Sequence, residues 1–370
     1  MNCDELTYRI AFASISGMGI DLAGKILDVI PSERDFFLMS ENELRAVTGG
    51  KSKVYGRSYR NERLERALRE QEFMSHTNVG VTYYTDSDFP ARLLNAPDAP
   101  IMLYKCGDCD LNAQHVVSIV GTRKATAYGS HFCDSLVAEL AQRVPGLVVV
   151  SGLAFGIDIC AHRACLRNNV PTVAVQARGL NKIYPPRHRN DAIDIVRQGG
   201  MIVTDYQTQD PVLPFNFVAR NRIIAALADC TVVAESAAKG GALITANLAQ
   251  SYNRDVFALP GRTSDPYSIG CNKLIRNNQA SLITSADDLI EAMRWDDANP
   301  HRKPRELELF PQFTAEEQAI VDAISKAGDI HINALTAQLG MPVYKVMSTL
   351  VELDCRGIVL SKPGCIYSMA

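Results

Sequence analysis

The chain has 370 residues, of which 47% are hydrophobic and 21% are charged, and its formal net charge is -3. This composition excludes a wholly disordered chain, and the small net charge means that any contact with nucleic acid must come from a local basic patch. No apolar run reaches the roughly 18 residues of a membrane span, so we expect a cytoplasmic protein with no membrane contact. At roughly 100 to 200 residues per domain, we predict domains at 1–75, 76–295 and 312–370, with a linker at 296–311.

Residues 1–75 carry apolar positions at helical spacing and no strand alternation, which predicts a small helical domain. Within it, SISGMGIDLAGKIL places Gly17 and Gly19 in a tight turn between two helical stretches. This layout is typical of a helix-hairpin-helix, whose turn amides can meet a DNA phosphate. The stretch 51–69 adds arginines interleaved with glutamates, so a solvated helix face and a DNA contact both stay open.

Residues 76–295 change to short apolar runs alternating with helical segments. The runs are VVSIVG, LVVVSG, TVAVQA, MIVTDY, CTVVAES, DVFALPG and SLITS, and a proline-rich connection near 83–107 leads into them. Near-continuous apolar strands with helices between them predict a parallel sheet covered on both faces. The fold class is therefore α/β, with an extended Rossmann-like domain between a helical N-terminal domain and a C-terminal winged helix.

The linker at 296–311 is polar, with prolines and mixed charge. After it, Thr314 followed by Glu317 is a capping-box pattern that starts a helix. Two more helical patterns and a hairpin-like GIVLSKPGCIYSM complete the predicted winged helix. Its third helix offers Lys345 but also Glu352 and Asp354, so we favour a protein-contact or structural role over DNA reading.

The motifs of several enzyme and cofactor classes are missing. No loop matches GxGxxG or GxxxxGK[ST], and no serine stands in a GxSxG elbow. Asp158 and His162 share a helix face, but a structural hydrogen bond is the more common use of such a pair. We therefore expect no cofactor, no metal and no catalytic residue.

Glycines and cations follow the predicted strands, at the edge where open α/β sheets bind their ligands. Glycine turns that open a helix offer amides to an anion, and guanidinium groups fit phosphate oxygens. Tyr184 and Phe217 can stack bases. The alternative is that the arginines cap helices or pair with carboxylates such as Asp205 and Glu235. The residues of this pattern are Gly121, Arg123, Gly152, Arg187, Arg189, Arg220, Arg222, Lys239 and Gly240.

Seven separated blocks, in this order, resemble the DNA-processing protein A family (DprA, also called Smf). They are SIVGTR, SGLAFGIDICAH, YPP, RNRIIAALAD, GGALITA, VFALPG and GCNKLIRNNQA. The resemblance covers nearly the whole chain. It implies cooperative binding of single-stranded DNA, a homodimer formed through the Rossmann domain, and loading of the RecA recombinase during natural transformation. It implies no catalytic activity.

Carried over residue by residue, the resemblance implies that Arg123 and Arg222 line the DNA pocket. Many members have a lysine directly after the YP pair, where this chain has Pro186, so the choice between Arg187 and Arg189 as the phosphate contact stays open. The complete predicted site for single-stranded DNA is Gly121, Thr122, Arg123, Ser151, Gly152, Arg187, Arg189, Arg220, Asn221, Arg222, Lys239 and Gly240.

Two other functions compete with this one. A nucleotide phosphoribohydrolase would use a similar Rossmann-like domain, but the region ESAAKGGALITA lacks the threonine and glutamate of the PGGxGTxxE block that those enzymes share. A transcriptional regulator would bind duplex DNA through the winged helix and lose binding when residues after 311 are removed.

Overall fold

Five helices form the N-terminal part of the protein. The computed structural model describes residues 3–295 and 313–370, so the predicted linker at 296–311 lies outside the described residues. The helices, with a 3-10 turn at Lys53–Tyr55 before the last, are α1 (Glu5–Ala13), α2 (Ile20–Leu27), α3 (Glu33–Leu38), α4 (Glu41–Thr48) and α5 (Arg57–Ser75).

Local signals and one buried arginine hold these helices together. Ser40 and Glu43 form a capping box that starts α4. On α5, Arg60 is 2% exposed, and one of its nitrogens donates to the carbonyls of Phe36 and Phe37 at 2.8 and 2.9 Å. Arg66 pairs with Asp210 of the next domain. These arginines of the 51–69 stretch therefore serve internal contacts, a use that the sequence did not indicate.

A nine-stranded sheet forms the centre of the protein, in the order β1-β2-β6-β5-β4-β3-β7-β8-β9. The strands are β1 (Gly80–Tyr83), β2 (Met102–Gly107), β3 (His115–Gly121), β4 (Leu147–Ser151), β5 (Thr172–Val175), β6 (Met201–Thr204), β7 (Cys230–Glu235), β8 (Asp255–Ala258) and β9 (Ser281–Leu282). The pairs from β6 to β9 are all parallel, which confirms the predicted α/β class.

Strands β1 and β2 correct the prediction, because they pair antiparallel to each other and β2 pairs antiparallel to β6. Both fall in or beside the proline-rich segment 83–107, which was expected to lead into the sheet and not to form strands of it. One face of each strand also packs into the core of the helical N-terminal part, through Tyr83 of β1 and Met102 and Tyr104 of β2, and Ile101 just before β2 joins them. The N-terminal helices and this edge of the sheet therefore share one apolar core.

Helices cover both faces of the sheet. They are α6 (Ala91–Leu94), α7 (Ala127–Arg143), α8 (Ile157–Arg167), α9 (Arg189–Arg197), α10 (Asn216–Ala219), α11 (Asn221–Leu227), α12 (Gly241–Ser251), α13 (Ile269–Arg276) and α14 (Ala286–Met293). Helices α7, α8 and α14 share one apolar cluster with the central strands, whereas α11, α12 and α13 share another. After β3 the chain adds β4, β5 and β6 on one side, and then adds β7 on the other side. This reversal opens a crevice at the carboxyl ends of β3 and β7, where such sheets bind ligands.

The last described residues form the predicted winged helix. Its elements are α15 (Ala315–Ala327), β10 (Ile330–His331), α16 (Ile332–Leu339), α17 (Val343–Cys355), β11 (Val359–Lys362) and β12 (Ile366–Met369). The capping box at Thr314 and Glu317 is present. Arg294 donates to the Ser361 carbonyl at 2.7 Å, so the wing contacts the end of α14. In residues 3–295 and 313–370, no helix has the length and apolar character to cross a membrane.

Candidate functional site

The crevice at the carboxyl ends of β3 and β7 holds a cavity of about 250 Å³. Its walls come from the segments that follow β3, β4 and β7 and from the segment around α10 and α11. Of the predicted site residues, those that line it are Gly121, Thr122, Arg123, Arg220, Asn221 and Gly240. The structure thus brings half of the predicted set to one place.

The first predicted anion-binding turn, at the start of α7, is already occupied by a carboxylate. Glu235, at the end of β7 and 2% exposed, accepts a hydrogen bond from the amide of Thr126 at 2.9 Å and another from its hydroxyl. A Cβ at Gly129 would lie 2.5 Å from the Glu235 side chain, so this glycine makes room for it. The helix N-terminus is neutralised from within the protein.

The second turn, at the start of α8, is also satisfied internally. The amide of Ile157 donates to the Thr122 carbonyl at 3.1 Å. Asp158, in the first turn of α8, is buried and accepts from the amide of Ala154 at 3.4 Å. Burial raises the pKa of the Asp158 carboxyl, and the nearby Arg220 opposes that rise. An external anion would have to displace these contacts.

The third turn, at the start of α12, carries no such carboxylate. Gly240 is the N-cap and offers no side chain, and the first turn of α12 contains no acidic residue. None of the described hydrogen bonds uses the amides of Gly241 or Ala242, and both residues line the cavity. Free amides at a helix N-terminus are the groups that bind phosphate oxygens. Lys239, exposed beside them, adds positive charge.

Arg123 and Arg220 line the same cavity as these amides but differ in exposure. Arg123 is exposed, and none of the described ion pairs involves it. Its guanidinium carbon lies 5.7 Å from the centre of the Phe217 ring. Arg220 is only 4% exposed, and one of its terminal nitrogens donates to the carbonyls of Gly152 and Val175. Its Nε has no hydrogen-bond partner among the described residues.

A smaller cavity of about 120 Å³ continues from the crevice and has aromatic walls. The centres of the Tyr184 and Phe217 rings lie 5.1 Å apart, and their planes are inclined at 53°. Phe155, 42% exposed, also lines it, although the sequence analysis did not single it out. Phe215, 63% exposed, lies just before α10. The largely apolar run VLPFNFV, which ends one residue before the RNR block, is the sequence signal that could have indicated this exposed aromatic residue.

Arg222 does not enter the crevice. It forms an ion pair with Asp205 and donates to the Asp98 carbonyl at 2.7 Å. It lines a separate small cavity between the sheet and the N-terminal helices, together with Met18 and Asp210. The carboxylate pairing that the sequence left open as an alternative is therefore the one that the structure has for Arg222.

The remaining predicted residues lie in or around the walls. Ser151 is fully buried and donates to the Ile119 carbonyl at 2.6 Å, which ties β4 to β3. A Cβ at Gly152 would lie 2.1 Å from an Arg220 nitrogen, so this glycine leaves room for the guanidinium. Arg187 and Arg189 are exposed at the start of α9 and do not line either cavity.

His162 has a structural contact. It is fully buried, and its Nδ1 lies 2.8 Å from the Thr172 hydroxyl. Burial lowers the pKa of His162 to about 3. The neutral ring therefore joins α8 to β5 by a structural hydrogen bond, the use that the sequence favoured for this residue.

The largest described cavity, about 450 Å³, opens at the opposite edge of the sheet. Its polar lining includes Asp108, Asp110, Asn168 and Asn169, and no lysine or arginine lines it. This surface repels phosphate, so size does not make it the candidate site.

Family models of known proteins match most of this chain. The family model described as DNA recombination-mediator protein A matches residues 80–294, and the DprA winged helix domain matches residues 298–365. Protein Smf of Escherichia coli is 33% identical over 75% of this chain and 75% of its own length. The DNA processing protein DprA of Streptococcus pneumoniae is 38% identical over 55% of this chain and 71% of its own length.

Two solved structures are similar over most of their length. DprA from Streptococcus pneumoniae has a TM-score of 0.63 and 28% identity, covering 79% of this chain and 98% of that one. A structure titled for the single-stranded DNA binding mode of DNA processing protein A from Helicobacter pylori has a TM-score of 0.53 and 31% identity, covering 60% and 98%. With a family model over more than half of its residues, this chain belongs to the DprA/Smf family of DNA recombination-mediator proteins.

Proposed function

We propose that this protein binds single-stranded DNA in the crevice at the carboxyl ends of β3 and β7. The observation that carries the proposal is the N-terminus of α12, whose first two amides take part in none of the described hydrogen bonds, beside an aromatic wall and an exposed Arg123 that has no described ion pair. Amides and a guanidinium together match a phosphate, and the Tyr184 and Phe217 rings match an unstacked base. The similarity to the Helicobacter pylori protein, whose solved structure is described for its single-stranded DNA binding mode, supports the same ligand.

In this proposal each group has a separate task. The amides of Gly241 and Ala242 and the Arg123 side chain bind the backbone of the strand. Arg220, 4% exposed and held by the carbonyls of Gly152 and Val175, adds positive charge at the floor of the crevice. The aromatic wall takes a base without reading its edge, so binding is tolerant of sequence. Duplex DNA, whose bases are stacked and paired, cannot offer a base to this wall.

We further propose that the bound strand is delivered to the RecA recombinase in the cytoplasm during natural transformation. The protein acts as a homodimer and performs no covalent chemistry on the DNA. The family to which the chain belongs supports this role. A mediator assay tests this step. RecA filament formation on DNA coated with a single-strand-binding protein should become faster when this protein is added, and no acceleration would reject the delivery step.

The binding step is tested by fluorescence anisotropy with one labelled oligonucleotide, single-stranded or annealed to its complement. We expect a strong preference for the single strand and an affinity that falls steeply with salt. Equal or tighter binding of the duplex would instead favour the winged helix as the DNA-binding element. Incubation with nucleoside monophosphates should release no free base, whereas release would support the phosphoribohydrolase.

A further inference from the structure

Helix α17 presents several large apolar side chains to solvent on one face. Its inner side chains Val346, Leu350 and Leu353 are fully buried in the winged-helix core. On the other side, large apolar side chains are 46% to 77% exposed, and they are Val343, Tyr344, Met347 and Val351. Every other described helix with an exposed large hydrophobic residue has only one of them.

The exposed residues form one continuous stripe. Tyr344, Met347 and Val351 follow each other at steps of three and four residues, and the exposed Ser348 and Cys355 continue the pattern. This spacing places side chains on a single face and is the spacing by which two helices pair. A solvated helix face normally carries charge, so this face is suited to burial against another protein.

Duplex DNA does not suit the stripe, although the equivalent helix of many winged-helix proteins reads DNA. Residues 313–370 contain six acidic and four basic side chains. Within α17 the single cation, Lys345, is outnumbered by Glu352 and Asp354. Its ion pair with Glu316 is exposed to solvent, so Lys345 can exchange that partner for another carboxylate. A helix that neutralised phosphates would need cations where this one has Tyr344 and Met347.

We propose that α17 docks against α17 of a second copy of this chain, with the two helices antiparallel. Lys345 and Glu352 are seven residues apart and therefore lie on the same flank of the helix. In an antiparallel pair related by a two-fold axis, like flanks face each other. An axis between Ser348 and Thr349 brings Lys345 level with Glu352 of the second copy, and the converse pair forms by symmetry. In a parallel pair related by a two-fold axis, unlike flanks face each other, so Lys345 would not meet Glu352.

The contact is small. A 13-residue helix is about 20 Å long at 1.5 Å per residue, and one such face is smaller than the roughly 800 Å² per partner of a stable interface. Association through α17 alone is therefore weak. It adds to the Rossmann-domain homodimer of the proposed function and is independent of DNA binding, so the protein should assemble beyond that dimer at high concentration.

Sedimentation equilibrium of the full chain, without DNA, tests the contact. We expect the average mass of the wild type to rise with concentration, and Met347→Glu to weaken that step by about tenfold or more, because a carboxylate at the centre of an apolar contact is left unpaired. The matched control is Val47→Glu on α4, which changes an equally exposed apolar residue, 42% against 46%. Identical curves for the wild type and Met347→Glu would overturn the proposal.

A charge swap distinguishes a second copy from a different partner protein. Lys345→Glu and Glu352→Lys should each weaken association, and the double variant should restore it, because the two ion pairs are then re-formed with reversed polarity. Failure of the double variant to recover would overturn the antiparallel arrangement. Affinity for a short single-stranded oligonucleotide should be unchanged in all these variants, so a defect in the crevice is recognised separately.

Discussion

Substitution of Arg123 tests the crevice most directly. Arg123→Ala removes an exposed guanidinium that contacts Phe217 and takes part in none of the described ion pairs, so little internal structure is lost. Each phosphate neutralised on a single strand contributes about 0.7 to the slope of log affinity against log salt. We therefore expect the magnitude of the slope to fall by about 0.7. A hydrogen bond to a charged group is worth about 1.5–3 kcal/mol, which corresponds to a loss of roughly 10- to 150-fold in affinity.

The assay is anisotropy of a labelled homopolymer oligonucleotide at several salt concentrations. Arg123→Lys separates charge from geometry: it should keep the slope but lose part of the affinity, because lysine cannot pair in a fork or lie flat on Phe217. Arg197→Ala is the matched control, since it removes one exposed arginine of α9 outside the crevice. An unchanged slope in Arg123→Ala would show that this side chain neutralises no phosphate.

Three further outcomes follow from the same structure. Arg222→Ala should lower the free energy of unfolding by about 3 kcal/mol in urea titrations, because Asp205 is left without its cation, while the salt slope stays as in the wild type; a changed slope would place Arg222 at the DNA. A chain ending at residue 311 should keep its affinity for single-stranded DNA, and loss of that affinity would move the site to the winged helix. His162 should make the protein acid-sensitive: its pKa is about 3 when folded and about 6.5 when unfolded, so the unfolded chain binds the extra proton and stability falls as the pH drops below 6.5, by about 2 kcal/mol at pH 5. Urea unfolding at pH 7 and pH 5 should show a smaller loss in His162→Gln, and equal losses would refute the assignment.

The central strands could be predicted because each is a short apolar run closed by glycine or a polar residue. VVSIVG appears as β3, which begins one residue earlier, at His115. LVVVSG appears as β4 without its last glycine. Strands β1 and β2 could not be predicted in the same way, since they flank a proline-rich segment and β2 pairs with β6, about 100 residues further on, while β1 pairs with β2. Only the folded chain shows that they extend the sheet.

The residues of the candidate site also differ in how far the sequence alone could predict them. Glycines and arginines at the strand ends are local features, and the sequence therefore predicted Gly121, Arg123 and Gly240 at one edge. The choice of partner for each arginine is not local. Arg222 meets Asp205 because the start of α11 lies over the end of β6, and that contact depends on packing that no pattern in the RNR block expresses.

Two carboxylates explain why this Rossmann-like crevice suits a strand better than a dinucleotide. In a dinucleotide-binding domain the pyrophosphate occupies the helix N-terminus after the first parallel strand, which here is the start of α7. Glu235 already occupies that position, and Asp158 lies at the start of α8. A pyrophosphate would have to displace Glu235 from two hydrogen bonds and bring negative charge beside a second carboxylate. Of the three helix starts at this crevice, that of α12 is the one whose first two amides take part in none of the described hydrogen bonds. It has room for the single phosphate that the proposed binding of a strand requires, whereas a pyrophosphate would need the position that Glu235 holds.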